Sequence, residues 1–179
     1  MKLHELIAVA NKTGATHGVG VVQLIEDRIV GLKVRGVYEN PGANILIAAH
    51  KKLEMLVSTR EENELKPFMD QKWSYLTYGA KYYEPTMRHI ESYINDQNDK
   101  VTGIVRVELY KGNITIISLK SDNSLFNQQL ATFERTQGLG QFNQNASAGF
   151  IELYTLPMRT AVNVHNQINK QQTLTHTLQ

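Results

Sequence analysis

Residues 17–50, HGVGVVQLIEDRIVGLKVRGVYENPGANILIAAH, hold the clearest fold signals of the chain. The β-branched content of residues 19–25 predicts a strand, and residues 29–34 form a second short apolar run. Between them, residues 26–28 predict a turn. Asn40 and Pro41 predict a helix start, because Asn can cap a helix and Pro fits its first turn. The segment therefore predicts short strands that lead into a helix.

Helix signals recur on both sides of this segment. Thr59 and Glu62 have capping-box spacing, which predicts a helix start. Gly79 is a suitable stop for that helix. The predicted helices outside the first segment span residues 3–10, 60–78, 85–94, 124–133 and 146–156. Residues 12–17 predict a turn-rich break, and residues 138–145 predict a loop.

One β-hairpin is predicted in the second half of the chain. Residues 105–109 alternate between apolar and polar side chains, residues 111–113 form a turn signal, and residues 114–119 are again apolar. Strands and helices come in clusters rather than in strict alternation. The sequence therefore predicts an α+β fold, with antiparallel hairpins packed against helices and a helical C-terminal tail.

Length and composition limit the functional classes. A chain of 179 residues can bury one core, its net charge is +2 and its basic residues are scattered, so no nucleic-acid partner is expected. It contains no cysteine, which excludes disulfides and thiolate chemistry and is compatible with a cytoplasmic location. It shows no signal-peptide pattern and no apolar run near the roughly 20 residues that span a bilayer, so no membrane association is expected.

No complete catalytic or metal-binding motif occurs in the sequence. The GxG at residues 18–20 lacks a third glycine and does not open a helix, so it predicts a turn rather than a dinucleotide site. The histidines do not pair at metal-binding spacing, so no metal site is expected. Ser121 and Ser124 lack the surroundings of a nucleophile elbow.

The chain carries two candidate association surfaces. An aromatic stripe, typical of a core or of a subunit interface, is formed by Trp73, Tyr75 and Tyr78. The polar tail from residue 160 keeps an apolar helical stripe, formed by Ala161, Val164 and Ile168. Beyond Lys170 we expect the tail to fray.

Glu26 and Tyr38 are the candidate binding residues, and two interpretations of them are open. Glu26 can be a solvated turn residue and Tyr38 a packed loop tyrosine, or the two can share a site for a small zwitterion. An extended strand would separate them, because each residue adds about 3.3 Å. They can meet only if the chain folds back near Gly31 or Gly36.

The residues around Glu26 and Tyr38 resemble a known family. The pattern HGVGxxxxxExRxVGxKxRGVYExPGxxIL, in residues 17–46, is similar to the synthetase half of argininosuccinate synthases. The likeness continues through STRE (58–61), VTGIVRVELYKGN (101–113), KSxxSL (120–125), LATFE (130–134) and AGFIEL (148–153). It covers about residues 1–160, which we take as one domain, with residues 161–179 as a partly disordered oligomerisation tail.

The resemblance implies a role in arginine biosynthesis. In this family ATP activates citrulline as an adenylate, and the amino group of aspartate then displaces AMP to form argininosuccinate. The family's citrulline-binding acid and tyrosine correspond to Glu26 and Tyr38. Its SGGxDTS phosphate loop and its aspartate-binding residues belong to the other half, and that loop does not occur here. No catalytic residue and no cofactor are therefore assigned to this chain, and ATP with magnesium belongs to the complete enzyme.

The resemblance leaves two roles open. The chain can be the C-terminal part of the synthase, inactive alone, with a weak citrulline site, a separate ATP-binding half as partner and a homo-oligomeric assembly like the family's tetramers. Alternatively, it is a non-enzymatic truncated relative that serves assembly or amino-acid binding. Four departures from the family pattern favour the alternative. GRID has become GVVQ at residues 20–23, KSRG has become KVRG at 33–36, LDRE has become STRE at 58–61 and GRKSP has become SLKSD at 118–122.

Overall fold

The computed structural model describes the backbone of residues 1–128, 130, 143 and 145–177, and the side chains of these residues up to Asn169. The helices and strands follow in the order α1 (Leu3–Thr16), β1 (Val21–Asp27), β2 (Lys33–Glu39), α2 (Pro41–Val57), α3 (Arg60–Tyr78), α4 (Pro85–Asn98), β3 (Ile104–Tyr110), β4 (Asn113–Lys120) and α5 (Ala146–Thr177). β1 pairs with β2, and β3 pairs with β4, both antiparallel. The predicted α+β class is confirmed. The chain divides into two compact units, Met1–Phe126 and Asn127–Gln179.

The β1–β2 hairpin turns around Gly31, later in the chain than predicted. The Arg28 N–H donates to the Leu32 carbonyl at 2.8 Å, and Gly31 has a φ of +82°, which glycine adopts without steric cost. The prediction of a turn at Glu26 is wrong, because Glu26 lies within β1, opposite Val34 of β2. The chain reverses where glycine permits a left-handed backbone, and the polar residues before it remain in the strand.

α1 continues to Thr16, past its predicted end at Ala10. The hydroxyls of Thr13 and Thr16 donate to backbone carbonyls one turn earlier, both at 2.9 Å. These side chains are thus satisfied inside the helix, and the predicted break is wrong for residues 12–16, although His17 does lie in a turn. Residues 18–20 form a turn before β1, as predicted.

α2 begins at Pro41, as predicted, but Asn40 does not cap it through its side chain. The Asn40 N–H instead donates to the Gly20 carbonyl at 2.9 Å. The cap comes from α1, where the Asn11 side-chain oxygen accepts the Gly42 N–H at 2.8 Å. This bond satisfies one of the free N–H groups of the first turn of α2 and fixes α1 against it.

α3 begins and ends as predicted. The Thr59 N–H donates to the Glu62 carboxylate at 2.7 Å, and the Glu62 N–H donates to the Thr59 hydroxyl at 3.4 Å. Together they form the predicted capping box. The helix ends at Tyr78, and Gly79 follows as its C-cap. α4 starts at Pro85 and runs to Asn98, past its predicted end at Ile94.

The core of the α3–α4 pair explains only part of the aromatic stripe. This core is formed by the buried side chains of Leu76, Met87 and Ile90. Trp73 packs against it, and the indole N–H donates to Glu91 at 3.5 Å. Tyr75 and Tyr78, by contrast, are 59% and 49% exposed. Within the stripe, Trp73 is thus a core residue, and the two tyrosines face solvent.

The β3–β4 hairpin has the predicted position, with its turn at Lys111 and Gly112. The Gly112 N–H donates to the His17 carbonyl at 2.8 Å, so this turn rests on the end of α1. α2 packs against both strands of the hairpin. Its Leu53 is buried at 7% exposure and lies close to Gly103, just before β3.

α5 is a single helix from Ala146 to Thr177, so the predicted end at Leu156 is wrong. Pro157 lies inside it, and side chains bond carbonyls on both sides of the interruption: Thr155 donates to Ile151 O at 2.8 Å and Thr160 to Leu156 O at 2.9 Å. The domain boundary after residue 160 stays a prediction.

Two predictions concern the stretch before α5. The helix predicted over residues 124–133 is wrong for residues 124–128, which the structure describes as turn and irregular chain. Leu130 lies in a turn, and the other residues of that helix, with most of the loop predicted at residues 138–145, lie outside the described residues.

Candidate functional site

The structure brings Glu26 and Tyr38 together on one face of the β1–β2 hairpin. Tyr38 pairs with Val22 in the ladder and Glu26 pairs with Val34, so the two lie on a long diagonal of the same face. The Tyr38 hydroxyl nevertheless donates to Glu26 Oε1 at 2.7 Å. A phenol and a carboxylate twelve residues apart in sequence thus form one polar centre.

Gly36 makes this diagonal contact possible. It lies between Val34 and Tyr38 on the same face of β2 and is buried under the tyrosine ring. A methyl group at this position would lie 2.4 Å from Cε2 of Tyr38 and 2.9 Å from its hydroxyl oxygen. The ring therefore occupies the space that a side chain at position 36 would fill.

Arg28 completes the centre from the turn of the hairpin. Its Nη1 lies 3.6 Å from Glu26 Oε1, and the Arg28 side chain is 50% exposed while that of Glu26 is 23% exposed. A side-chain hydrogen bond with Tyr78, followed by electrostatic interactions with Tyr78 and Glu26, raises the pKa of Arg28. The hydrogen bond to Glu26, followed by desolvation, raises the pKa of Tyr38. Tyr38 therefore stays a neutral phenol and Arg28 a charged guanidinium at neutral pH.

This arrangement suits a ligand ammonium group. The Tyr38 hydroxyl uses its proton on Glu26, which leaves the lone pairs of its oxygen as acceptors. The Glu26 carboxylate supplies further acceptors and negative charge. The centre thus offers a cluster of acceptors, open to solvent, to a positively charged donor.

Sequence reasoning identified Glu26 and Tyr38 but missed Arg28, Gly36 and Tyr78. The spacing of Glu26 and Arg28, two residues apart, was an available signal, because such residues face the same side of an extended chain. A glycine two residues before a tyrosine in a strand was another. Tyr78 lies in α3, outside the β1–β2 hairpin, and the local sequence pattern carries no signal for its approach to Arg28.

A second cluster of charged side chains lies between α2 and α3. Lys66 Nζ lies 3.1 Å from Glu54 Oε1 and 2.7 Å from Asp70 Oδ1, and the Lys66 and Glu54 side chains are each 8% exposed. Burial alone would lower the pKa of Lys66, but hydrogen bonds to Asp70 and Glu54 outweigh it and raise that pKa. The three side chains line a cavity of about 460 Å³. Because both carboxylates are engaged by Lys66, we interpret the trio as a structural ion-pair cluster.

Ser121, another candidate from the sequence, has a structural role. The Ser121 hydroxyl donates to the Thr102 carbonyl at 2.6 Å and accepts the Asn123 N–H at 3.1 Å, so it shapes a turn. In the part of the chain that the structure describes, no three histidine, aspartate or glutamate side chains are grouped to hold a metal ion. Among the described helices, none combines the length and apolar character needed to cross a membrane.

Comparison with known proteins gives the same family from a family model and from individual relatives. The sequence matches the family model described as "Arginosuccinate synthase C-terminal domain" over residues 1–161. It is 39% identical over 171 residues to the argininosuccinate synthase of Limosilactobacillus reuteri (strain DSM 20016), covering 96% of this chain and 41% of that protein.

Two further relatives have the same name. The argininosuccinate synthase of Pyrococcus furiosus is 43% identical over 164 residues, which cover 92% of this chain and 39% of that protein. That of Acetivibrio thermocellus is 43% identical over 155 residues, which cover 87% and 38%. The chain therefore spans about two fifths of the length of the curated relatives that it matches.

Proposed function

The chain belongs to the argininosuccinate synthase family, through the C-terminal domain of that family, and we propose that it supplies part of the citrulline site of such a synthase. In the proposed reaction, ATP activates the ureido oxygen of citrulline, and the aspartate amino group then displaces AMP. This chain holds the amino-acid end of citrulline. Its contribution is binding and orientation, and none of its residues is proposed to act on the reacting atoms.

The hydrogen bond between Tyr38 and Glu26 carries the proposal. Citrulline is a zwitterion whose side chain is uncharged, so its α-ammonium is its one cationic group. Glu26 provides a carboxylate for that ammonium, and the Tyr38 oxygen provides a second acceptor beside it. Holding the ammonium at the hairpin leaves the ureido end of the ligand free to reach an ATP site elsewhere.

ATP and aspartate are proposed to bind outside this chain. The sequence lacks the SGGxDTS loop, and the chain spans about two fifths of its relatives' length. We propose that a separate ATP-binding polypeptide or segment supplies ATP with magnesium and the aspartate contacts. Citrulline should bind weakly to this chain alone, because it meets only part of its partners here.

We also propose that the chain forms homo-oligomers through α5. The stripe formed by Ala161, Val164 and Ile168 lies within this helix. Ile168 is 46% exposed, as is expected of a side chain whose partner lies in another subunit. A helix of this kind gains stability from packing rather than from propensity alone.

The second candidate function is amino-acid binding or assembly without catalysis. It is favoured by the altered segment at residues 20–23, where Gln23 now accepts a hydrogen bond from Arg35 at 3.1 Å. In this alternative the Glu26–Tyr38 centre binds an amino acid, but no ATP-binding partner completes the site.

An AMP-release assay with citrulline, aspartate and ATP distinguishes the two candidates. The chain alone should give no turnover, and addition of the ATP-binding half of a family member should restore it. Glu26→Gln should reduce the restored rate at low citrulline concentration. Turnover by the chain alone would contradict the proposal, and failure of complementation together with citrulline binding would favour the alternative.

A further inference from the structure

The turn of the β1–β2 hairpin holds a cation next to the candidate site. The Arg28 N–H donates to the Leu32 carbonyl at 2.8 Å, and the Arg28 carbonyl accepts the Gly31 N–H at 2.7 Å. Both backbone groups of Arg28 are thus engaged, which fixes the point from which its side chain starts. From there, Nη1 reaches to 3.6 Å from Glu26 Oε1.

A hydrogen-bond donor and a cation therefore converge on one oxygen of Glu26. Oε1 accepts the Tyr38 hydroxyl at 2.7 Å and faces the Arg28 guanidinium. Among the described residues, none makes a hydrogen bond to the other oxygen, Oε2. One oxygen is held from two sides, and the second is left for a ligand.

We propose that Arg28 is a positioning residue of the citrulline site: together with Tyr38 it holds Glu26 by Oε1 and so directs Oε2 towards the ligand ammonium. This inference rests on the proposed function. Arg28 acts through Glu26 and does not touch citrulline. The role requires the planar, multiply donating guanidinium, which a lysine reproduces only in part.

Tyr78, at the end of α3, holds Arg28 in turn. Its side-chain hydrogen bond is the first cause of the raised pKa of Arg28. The measured contacts within the hairpin run from Arg28 to Glu26 and from Glu26 to Tyr38, and Tyr78 acts on the Arg28 end. Tyr78 should affect citrulline only through Arg28.

This role differs from a contribution to folding. The Arg28 side chain is 50% exposed, and ion pairs at that exposure add little to stability because solvent screens them. Removing the guanidinium should leave the melting temperature nearly unchanged. Its effect should appear in citrulline affinity, where the direction of a charged hydrogen bond matters.

The experiment is an NMR titration of the ¹⁵N-labelled chain with citrulline, which measures millimolar dissociation constants. Arg28→Gln should weaken binding about three- to tenfold, and Arg28→Lys should recover part of the loss. Tyr78→Phe should cause a smaller loss. The double variant should bind no more weakly than Arg28→Gln, because Tyr78 acts through Arg28. Arg35→Gln is the matched control: its guanidinium bonds Gln23 on the opposite face, and its affinity should equal wild type.

The other outcomes are distinguishable. If wild-type shifts respond to citrulline and Glu26→Gln weakens them, but Arg28→Gln does not, the inference falls and the proposed function stands. A loss of affinity in Arg28→Gln that accompanies a matching fall in melting temperature also overturns the inference. If citrulline moves no hairpin signal in the wild-type chain, both fail.

Discussion

Gly20 and Pro41 lie so close that a methyl group on Gly20 would come within 2.4 Å of the Pro41 backbone. Gly20 also has a φ of +96°. This contact joins the start of β1 to the start of α2, and backbone atoms at a helix start cannot move aside as a side chain can. The junction therefore accepts glycine and no larger residue.

Gly20→Ala should destabilise the fold strongly. Gly31→Ala is the matched control, because Gly31 also has a positive φ but a methyl group on it would meet no atom within 4 Å. That control should cost about 1–2 kcal/mol from backbone conformation alone. The Gly20 variant should cost clearly more, because the overlap with Pro41 adds to the conformational cost. Urea unfolding of the two variants measures the difference. Equal losses of unfolding free energy would show that the backbone of α2 shifts at Pro41 to make room for the methyl group.

Glu26→Gln should weaken citrulline binding by about 1.5–3 kcal/mol, the contribution of a charged hydrogen bond. The amide keeps the shape of the side chain but removes the charge that attracts the ammonium. Glu39→Gln removes a charge from the opposite face of the same hairpin and should have no effect. Titration calorimetry gives both affinities. Unchanged binding by Glu26→Gln would mean that Glu26 is only a surface residue.

Gly36→Ala should separate Tyr38 from Glu26. The added methyl group would occupy the place of the phenol ring, which can rotate away because it is the end of a side chain. The pKa of Tyr38, raised mainly by its bond to Glu26, should then fall towards its ordinary value. NMR of ¹³Cζ-labelled tyrosine follows this titration, with Tyr38→Phe to assign the signal. An unaltered Tyr38 pKa would show that the ring is held by other contacts.

Glu62 should make stability depend on acid pH. Hydrogen bonds, first from Lys100 and then from the Thr59 backbone, lower its pKa from 4.5 to about 2. A carboxyl whose folded pKa is depressed contributes stability above its unfolded pKa and loses it as pH falls through the folded value. The loss should therefore extend from about pH 4.5 down to about pH 2. Glu62→Gln should flatten the profile of unfolding free energy over this window.

A control for that profile is Glu61→Gln, in the same helical turn. It leaves the Thr59–Glu62 capping box and the Lys100 contact in place. Its profile should keep the wild-type slope between pH 4.5 and 2. If both variants flatten the slope equally, general charge in the first turn of α3 is responsible, and the specific contacts of Glu62 are not.

Ile168→Lys should shift the proposed oligomer towards monomer. Ile168 belongs to the apolar stripe of α5, and a buried ammonium in an interface is costly. Val162→Lys is the control, because Val162 is similarly exposed at 52% but points away from the stripe. Light scattering at micromolar concentration gives the masses. A monodisperse wild-type monomer would rule the assembly out.

Sequence patterns located the elements of this chain better than their ends. The capping box at Thr59 and Glu62 is a local interaction, and it placed the start of α3 correctly. The end of α1 depends on threonine hydroxyls that bond carbonyls within the helix, whereas propensity alone favours a break there. Likewise, the cap of α2 comes from Asn11, far away in sequence, and only tertiary structure reveals it.

The candidate site, too, could be predicted from the sequence only in part. The resemblance to the family identified Glu26 and Tyr38, although spacing alone favoured neither a contact nor a shared site. In the sequence, Gly36 indicated only a place where the chain could bend. In the structure, its missing side chain leaves room for the contact between Tyr38 and Glu26. The sequence around Arg28 predicted a turn at residues 26–28, but the chain reverses later, around Gly31. This later reversal places Arg28 beside Glu26.

The buried cluster between α2 and α3 restricts how sequences of this fold can diverge. Losing Lys66 alone would leave the Glu54 carboxylate unpaired in a site that is 8% exposed, at a cost of about 3–5 kcal/mol, whereas losing Glu54 would leave Lys66 paired with Asp70. That is a large fraction of the stability of an ordinary domain. Replacement of Lys66 alone should therefore be eliminated by selection, whereas its joint replacement with Glu54 by apolar residues would be tolerated. Across homologous chains, positions 54 and 66 should vary together.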